Sequence, residues 1–587
     1  MRGWSEVADR VGATTRTSEK TALLARYLAQ LPGSELRPAA VFLTGRPFSE
    51  SDQRTVGLGW SAIAATVTNL AGTTAGALGA AYDRSSDLGQ AVADVLALRA
   101  DQPDPSQSPA VAKVAEAFAV IEAAPGLVAK SSAFGALLRR CDCLTAKYVV
   151  KILSGELRIG LREGLLEAAI AAAFDRPQAA VQIAGMLTGD AGETAVLAKE
   201  GRLADARLRL FHPIKFMLAT PAEDAAEIVS RLGPTVWVED KYDGIRAQLH
   251  RRGGEARLFS RDLNDVSDQF PEIVEAARDL PWDGIIDGEI LAYAMGHVLP
   301  FLTLQARLGR KEPSPEVRAE VPVIYVAFDL LAMGSPAAVS PAAGERSDDG
   351  ADATEAAAVE PLLHVPLAER RRRLEALELP VVGEGGRFAL SHLVTADSVE
   401  ALDRVFDEAR ARRNEGLMVK DPHSGYSPGR RGLGWLKMKR ALATLDCVVV
   451  AVEVGHGKRH GVLSDYTFAV RDEATDGYVT IGKAYTGLTD AELADMTAWF
   501  EAHTVRQLGR YRLVEPTVVV EVAFDVIQRS RRHQSGFALR FPRIVRIRPD
   551  KSAAEIDTLQ TVERLYGELQ TGAEYLVTAE ARKPIRR

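Results

Sequence analysis

The sequence predicts three domains in chain order: an all-α N-terminal domain, a mixed α/β domain and a C-terminal β-barrel. The chain has 587 residues, of which 47% are hydrophobic, and this length is too great for a single core. Apolar residues at helical spacing dominate the first third, and short β-rich runs dominate the rest. We therefore expect domains at 1–205, 206–440 and 441–575, followed by a tail at 576–587.

The N-terminal domain is predicted from amphipathic helical patterns. Ser18 precedes apolar residues at helical spacing and is a candidate helix cap. Similar spacing recurs over 111–121 and 165–174, with few β-rich runs in between. These patterns predict helices throughout 1–205.

The α/β domain is predicted from short β-branched and aromatic runs that begin near Val236. The clearest strands are predicted at 247–250 and 323–328. Between 334 and 360 the sequence is rich in Ala, Ser, Pro, Gly and acidic residues and lacks aromatic residues, so it cannot bury enough surface to order itself. We expect 334–360 to be a flexible insertion in this domain.

Short strands surround one helix in the C-terminal part. Strands are predicted at 448–452, 467–470, 518–526 and 544–547, and a helix is predicted at 491–502. This combination is typical of a small barrel of the OB type.

Charge is distributed unevenly along the chain. The net charge is −7, but binding of a polyanion depends on local charge. Eight basic residues and one acidic residue lie between Arg529 and Lys551, whereas six acids and one arginine lie between Gly344 and Glu360. Opposite charges are therefore segregated by region.

The cysteines and the N-terminus predict the compartment. Cys141, Cys143 and Cys447 are too few for a disulfide framework or a four-thiolate zinc site. The N-terminus has no basic start followed by an apolar run, and no apolar stretch reaches the length of a membrane span. We expect a soluble, cytoplasmic protein without a membrane partner.

The sharpest local signal is Lys241, which lies in the segment EDKYDGIR at 239–246, directly after a short apolar strand. A lone K-x-D-G-x-R pattern is only suggestive, because a lysine beside a turn is usually just solvated. An ordered series of motifs follows it. These are FSR at 259–261, IDGEI at 286–290, YVAFD at 325–329, NEGLMVK at 414–420, WLKMK at 435–439 and LRFPRIVR at 539–546.

In order and spacing, this series resembles the motifs of the covalent nucleotidyltransferases, the superfamily of DNA ligases, RNA ligases and mRNA capping enzymes. The block at 539–546 resembles the last motif of DNA ligases, which lies on their OB domain. The resemblance covers nearly the whole chain and is strongest from 236 to 551. It implies that 206–440 is an α/β nucleotidyltransferase (adenylation) domain and that Lys241 is the nucleophile that carries AMP.

The resemblance also implies a role for each motif residue. Glu239 matches an adenine contact, Phe328 a residue that stacks on the base, and Glu289 and Glu415 the acids that bind ribose or metal. The implied ATP-binding residues are Glu239, Arg246, Arg261, Glu289, Phe328, Arg431, Lys437 and Lys439. Arg540, Arg543 and Lys551 match a lid over the pyrophosphate.

The chemistry of lysine is consistent with this role. A lysine amine attacks phosphorus only when it is uncharged, and a free lysine at neutral pH is almost wholly protonated. Nearby cations such as Arg246, Lys437, Lys439 and a bound Mg²⁺ disfavour the ammonium form and hold a triphosphate. Carboxylates and substrate phosphates are the usual ligands of Mg²⁺, and Mn²⁺ is an alternative. We expect ATP as co-substrate and one of these ions as cofactor.

The helical N-terminal region distinguishes among members of the superfamily. AKYVVK at 146–151, followed by LRIGLRE at 157–163, resembles the DNA-binding domain of ATP-dependent DNA ligases, which RNA ligases and capping enzymes lack. The structural alternative is a helix start with Gly160 at a close contact. The resemblance predicts a monomer that seals nicked double-stranded DNA in replication, repair or recombination, and that associates with the nucleoid in a prokaryote.

Three alternatives are weighed against this prediction. NAD-dependent ligases share the lysine motif but carry a zinc site that needs more cysteines than this chain has. An RNA ligase or capping-type nucleotidyltransferase stays open within the superfamily. A non-catalytic DNA-binding protein is disfavoured, because every expected catalytic position is filled.

Overall fold

The structure of the protein is a computed structural model. It describes residues 1–299, 301–308, 310, 312–334, 359–382, 386–411, 414, 416–439, 443–455, 459, 461–570 and 574–575. The chain divides into two compact units, one containing 1–75, 92–439 and the described residues 574–575, the other containing 76–91 and 440–572.

Residues 1–205 form helices, as predicted. The helices are α1 (Arg2–Ala13), α2 (Thr17–Ala29), α3 (Gly33–Leu43), α4 (Trp60–Ala71), α5 (Ala77–Ser85), α6 (Leu88–Leu96), α7 (Val111–Ala123), α8 (Gly126–Arg139), α9 (Cys143–Leu153), α10 (Glu163–Ala173), α11 (Gln178–Thr188) and α12 (Ala191–Glu200). The prediction that Ser18 caps a helix is wrong. The N-cap of α2 is Arg16, whose backbone N donates to Thr14 Oγ1 at 3.2 Å, so Ser18 lies in the first helical turn.

Aspartate side chains cap the starts of α9 and α12. Asp142 accepts hydrogen bonds from the backbone N of Leu144 and Thr145 at the start of α9, at 3.0 and 3.2 Å. Asp190 does the same for Gly192 and Glu193 at the start of α12. These bonds satisfy amides that have no partner within the helix.

Strands and helices are interspersed between 218 and 438. The helices are α13 (Ala225–Leu232), α14 (Pro271–Arg278), α15 (Phe301–Gln305), α16 (Pro315–Glu320), α17 (Leu367–Glu375) and α18 (Val399–Ala411). The strands are β1 (Leu218–Ala222), β2 (Val236–Asp240), β3 (Ile245–Arg252), β4 (Glu255–Ser260), β5 (Gly284–Ala294), β6 (His297–Val298), β7 (Val323–Gly334), β8 (Val359–Pro361), β9 (Phe388–Leu390), β10 (Leu393–Ala396), β11 (Leu417–Lys420) and β12 (Arg431–Met438).

These strands form two sheets, each with its own core. The first sheet has the order β1-β12-β11-β2-β10, and its core includes Ile228 of α13 and Leu402 and Phe406 of α18. The second sheet contains β6-β5-β3-β4, with β7 paired to β5, β8 and β9, and its core includes Phe270 and Leu374. The predicted α/β domain is therefore a two-sheet structure.

The predicted insertion at 334–360 lies mostly outside the described residues. Gly334 ends β7, and Val359 and Glu360 lie in β8. Residues 335–358 and the predicted tail at 576–587 are not described.

The second unit is rich in β-structure. Its strands are β13 (Ala443–Val454), β14 (Leu463–Asp472), β15 (Gly477–Ala484), β16 (Thr504–Leu508), β17 (Tyr511–Val514), β18 (Val519–Phe524), β19 (Val526–Arg529), β20 (Phe537–Arg540) and β21 (Arg543–Ile547), and helices α19 (Asp490–Ala502) and α20 (Leu559–Gln570) accompany them. The long strand β13 pairs with β14, β17 and β18, which fits the predicted OB-type barrel. The last strand of the described chain, β22 (Glu574–Tyr575), belongs to the first unit and pairs there with β6.

The strand predicted at 518–526 is two strands. The ladder of β18 with β13 ends at Phe524, and β19 then pairs with β20 instead. Asp525 lies at the break, where its backbone N donates to Arg540 O at 3.2 Å. Continuous β-branched sequence predicted the extended conformation but not the change of partner.

Among the described residues, no helix combines the length and the apolar character that a bilayer span requires.

Candidate active site

A cavity of about 190 Å³ opens between the two sheets of the first unit. The first sheet, with the residue that follows β2, contributes Leu218, Ala219, Glu239, Asp240, Lys241, Met418, Lys420, Arg431, Trp435 and Lys437. The second sheet, with the loops beside it, contributes Tyr242, Arg246, Arg261, Glu289 and Phe328. Charged and aromatic side chains from distant parts of the sequence therefore face one space.

Lys241 lies at the end of β2, where the chain passes from one sheet to the other. Its backbone N donates to Gly416 O at 2.9 Å, which continues the pairing of β2 with β11 by one residue. This bond fixes the backbone from which the lysine side chain projects.

Gly244 brings the second sheet close to Lys241. A Cβ atom at this position would lie 2.5 Å from Ile290 O and 2.8 Å from Glu289 Cγ. Real Cβ atoms do not approach so closely, so only glycine lets this turn lie against β5 without displacing it. The glycine of the K-x-D-G motif thus determines how near Glu289 lies to the lysine.

Glu289 shares the cavity with two cations. Burial raises the pKa of its carboxyl to about 7, although Lys241 and Arg246 favour the ionised form. The carboxyl therefore changes charge in the neutral pH range.

Arg246 is held by a buried carboxylate. Its guanidinium donates to both carboxylate oxygens of Asp287, at 3.1 and 2.7 Å, and Tyr426 Oη donates to the same carboxylate at 2.7 Å. Burial opposes the charged form, but Asp287 outweighs it and holds the pKa of Arg246 above its usual range. Arg246 is consequently a permanent positive charge at the cavity wall.

Glu239 lies in a buried ionic network. Lys420 Nζ donates to Glu239 Oε2 at 2.6 Å, and an Arg371 nitrogen lies 3.6 Å from Glu239 Oε1. Lys420 Nζ also lies 4.7 Å from the ring centroid of Phe328 and 4.3 Å from that of Trp435. The two rings meet edge to face at 6.3 Å. The acid and the aromatic wall are thus fixed by one cation.

The structure brings most of the predicted residues together. Those that line the cavity are Lys241, Glu239, Arg246, Arg261, Glu289, Phe328, Arg431 and Lys437. Lys439 lies one residue beyond the end of β12 and is not among the described residues that line it. Glu415 lies outside the described residues.

The predicted lid residues belong to the second unit. Arg540 ends β20, Arg543 begins β21, and Lys551 follows β21. Lys551 Nζ lies 2.5 Å from Asp446 Oδ2, and Arg543 lies 3.4 Å from Asp525 Oδ1. Lys551 and Arg543 are therefore paired with carboxylates of their own unit.

Sequence reasoning missed several residues that hold the site. Asp287, Lys420 and Trp435 lie inside motifs that were recognised, so a signal for them existed. Arg371 and Tyr426 lie outside those motifs, and only the fold brings them to the site.

The carboxylate in the cavity suits a divalent cation that is bound together with substrate phosphates. Among the described residues, no cluster of three or more His, Cys, Asp or Glu side chains is placed to hold a metal. Mg²⁺ typically binds one or two carboxylates together with substrate phosphates. Glu289 offers one carboxylate in the cavity.

Two lysine side chains hold the backbone of the segment at 157–163. Lys20 Nζ donates to Ile159 O at 2.5 Å, and Lys151 Nζ donates to Leu157 O at 3.3 Å. Gly160 has φ +63°, and a Cβ there would lie 2.8 Å from Lys20 Nζ. Gly160 therefore lies at a close contact, as the structural alternative for this segment expects.

Comparison with known proteins gives consistent matches along the chain. Three family models match: DNA ligase N terminus over 2–171, ATP dependent DNA ligase domain over 216–439, and ATP dependent DNA ligase C terminal region over 459–551. A probable DNA ligase of Koribacter versatilis is 46% identical over 96% of both chains. A DNA ligase of Archaeoglobus fulgidus is 32% identical over 96% of this chain and 98% of its own. A solved structure named Pmar-Lig_PreS3 covers 93% of this chain and 99% of its own with a TM-score of 0.58 at 13% identity, a likeness of fold alone.

Proposed function

Since the chain belongs to the ATP-dependent DNA ligase family, we propose that it seals nicks in duplex DNA through an AMP adduct of Lys241. The observation that carries this proposal is the position of Lys241 in a cavity that is also lined by Glu239, Phe328, Arg431 and Lys437. Such a cavity offers an aromatic ring and a carboxylate to a purine, and cations to phosphates.

In the first step, Lys241 Nζ attacks the α-phosphorus of ATP. A P–N bond forms, the P–O bond to pyrophosphate breaks, and the nitrogen loses its proton. Positive charge from Arg246, Arg431 and Lys437 disfavours the ammonium form and stabilises the phosphates. A divalent cation, which we propose to be Mg²⁺ or Mn²⁺ held by Glu289 and Glu415, neutralises phosphate charge when it is bound.

The second and third steps transfer AMP and then release it. An oxygen of the 5′-phosphate at the nick attacks the AMP phosphorus, the P–N bond breaks, and the lysine nitrogen takes up a proton. The 3′-hydroxyl oxygen then attacks the 5′-phosphorus, loses its proton and displaces AMP. Each step is a displacement at phosphorus, for which positioning and charge neutralisation dominate.

The remaining side chains are proposed to select and hold the nucleotide. Glu239, supported by Lys420, accepts a hydrogen bond from the adenine amino group, and Phe328 stacks on the base. Arg261 contacts the ribose and phosphate side, and Arg431 the triphosphate. Lys439 is proposed to add positive charge from the end of β12.

We also propose how the chain divides the work. The helical domain at 1–205 and the barrel domain at 441–575 bind nicked DNA, and the domain at 206–440 performs the adenylation. The lid residues Arg540, Arg543 and Lys551 cover the pyrophosphate during the first step, and the enzyme acts as a monomer.

Replacement of the nucleophile tests the proposal directly. Lys241→Ala should take up no labelled AMP, because the amine proposed to form the P–N bond is gone, whereas the wild-type chain should become labelled with ATP and a divalent cation. Adduct formation is measured by mass spectrometry of the intact protein. AMP bound covalently to the Lys241→Ala variant would refute the assignment.

The substrate class is tested in the same preparation. Sealing of a nicked DNA duplex and of a nicked RNA duplex is measured with ATP, NAD or GTP supplied separately. We expect sealing of DNA with ATP. Efficient sealing of RNA alone would favour an RNA ligase, and adduct formation with GTP would favour a capping-type enzyme.

A further inference from the structure

A loop of the N-terminal helical part contacts the adenylation part beside the cavity. We name residues 47–59 the bracing loop; it joins α3 to α4. The side-chain amide of Gln53 makes two hydrogen bonds, donating from Nε2 to Leu263 O at 2.7 Å and accepting from Asp265 N at Oε1, also at 2.7 Å. An amide that satisfies one backbone acceptor and one backbone donor imitates a strand partner and fixes the local backbone.

The turn that Gln53 contacts carries Arg261. This turn follows β4 and is closed by Leu263 N donating to Ser260 O at 2.8 Å, with Leu263 in the left-handed region at φ +64°. Arg261 lines the cavity at an exposed position and makes no hydrogen bond or ion pair with another described residue. Its direction therefore depends on the backbone of the turn.

The bracing loop is itself held on both sides. Lys130 Nζ, on α8, donates to Val56 O at 3.0 Å and to Glu122 O at 2.8 Å. Glu50 pairs with Lys215 at 2.7 Å, three residues before β1. Gln53 thus lies in a loop whose backbone and side chains are held on both sides of it.

We propose that Gln53 is a positioning residue for Arg261, through which the helical domain sets the affinity of the adenylation site for ATP. The inference rests on the proposed function, in which Arg261 contacts the nucleotide. Gln53 itself is not placed at the cavity. Its effect passes through two backbone hydrogen bonds to the turn.

The test measures ATP–pyrophosphate exchange by the full chain in the absence of DNA, because formation and reversal of the lysine adduct then turn over and give a KM for ATP and a kcat. Loss of both hydrogen bonds in Gln53→Ala should raise the KM for ATP about threefold to tenfold with little change in kcat, since each bond contributes only modestly. Gln53→Glu loses the donor and places a carboxylate oxygen against Leu263 O, so its KM should be at least as high as that of Gln53→Ala. Ser51→Ala, in the same loop, is the matched control and should behave as the wild type.

A double variant separates positioning from general damage. In an Arg261→Ala background, Gln53→Ala should cause no further rise in KM, because the residue that it positions is gone. Thermal unfolding should be the same for Gln53→Ala and Ser51→Ala.

The possible failures are distinguishable. An unchanged KM in Gln53→Ala, or a full additional rise in the double variant, would overturn the inference and leave the proposed function standing. If Arg261→Ala has a wild-type KM, the role proposed for Arg261 is wrong and the inference falls with it.

Discussion

At the scale of single residues, Lys420 shows how the cavity keeps its shape. Its ammonium group pairs with Glu239 and lies over the rings of Phe328 and Trp435. A buried carboxylate without such a partner would lose its charge or pull in water. The acid proposed to recognise adenine is therefore held in place by the same cation that lies over the two rings of the aromatic wall.

A buried histidine gives the first unit a dependence on pH. His250 is fully buried on β3, where Nδ1 accepts from Phe211 N at 3.0 Å and Nε2 lies 3.2 Å from Gln248 Oε1. Burial lowers its pKa to about 3. Because the folded-state pKa lies below the unfolded value of about 6.5, this neutral histidine stabilises the fold above that value.

We predict that part of the stability is lost as the pH falls from 6.5 toward 3, because protons then bind to the unfolded chain first. Each pKa unit of difference corresponds to about 1.4 kcal/mol. His250→Asn should be less stable at pH 7 but should show a shallower fall in the urea midpoint between pH 6.5 and 4. His423→Asn, at an exposed position, should keep the wild-type slope, and equal slopes for all three proteins would contradict the prediction.

The sequence motifs identified the residues that face the cavity. They identified less well the residues that hold those side chains in place. Glu239, Phe328 and Arg246 belong to motifs whose order could be read from the sequence. Their supports are distant, since Tyr426 lies 139 residues from Asp287 and Lys420 lies 181 residues from Glu239. Such pairs exist only once the strands are aligned, so no local pattern predicts them.

At the scale of elements, the turn between β2 and β3 depends on its glycine. Gly244 faces the backbone of β5 with no space for a Cβ atom. An added methyl group must displace either the turn that follows Lys241 or the strand that carries Glu289. Small shifts of this kind impair a reaction that depends on positioning.

We predict that Gly244→Ala slows formation of the lysine adduct by at least about tenfold, and that it destabilises the fold by roughly 1–3 kcal/mol through overpacking. Gly164→Ala is the matched control, since Gly164 lies in α10 with no atom within 4 Å of the added Cβ. Adduct formation is followed by intact mass, and stability by urea unfolding. Wild-type adduct formation in Gly244→Ala would contradict the proposed tight approach.

Element lengths were harder to predict than element types. The strand predicted at 323–328 is longer than predicted and extends over Val323–Gly334 as β7. It is longer because β5 pairs with β7 from Val323 to Met333. Strand β12 was not predicted, since Gly432 and Gly434 weaken the β-pattern. It forms nevertheless between β1 and β11, and a Cβ on Gly434 would lie 2.4 Å from Ser424 Cβ. Pairing partners and close approaches, which sequence patterns do not reveal, decided both cases.

At the scale of the whole molecule, the chain groups into two compact units. Most of the N-terminal helices cluster with the two-sheet structure, joined in part by ion pairs of Lys215 with Glu50 and Glu163. The segment 76–91 clusters with 440–572, where an Arg510 nitrogen lies 2.5 Å from Ser86 Oγ. Helical periodicity identifies α5 as a helix, but it carries no information on which core the helix joins. The three-domain division therefore remains a proposal about function.

The proposed reaction also requires the basic segment at 529–551 in the second unit, which carries the residues proposed as a lid. Asp446 pairs with both Arg548 and Lys551, and Glu521 pairs with Arg546 at 2.7 Å. A lid over pyrophosphate would exchange the carboxylate partner of Lys551 for phosphate oxygens. Because such a lid contributes only while pyrophosphate is present, it should affect the first step and not the last.

We therefore predict that Arg540→Ala and Lys551→Ala slow adenylylation of the enzyme by about tenfold or more, as loss of an interaction made in that transition state would. Sealing of a nick that already carries AMP should be much less affected, because pyrophosphate has left before that step. Both rates are measured on the same preparations, with Lys483→Ala as the control, since Lys483 pairs with Glu453 in the same unit. Equal losses in the two assays would assign these cations to DNA binding or stability and remove the lid from the mechanism.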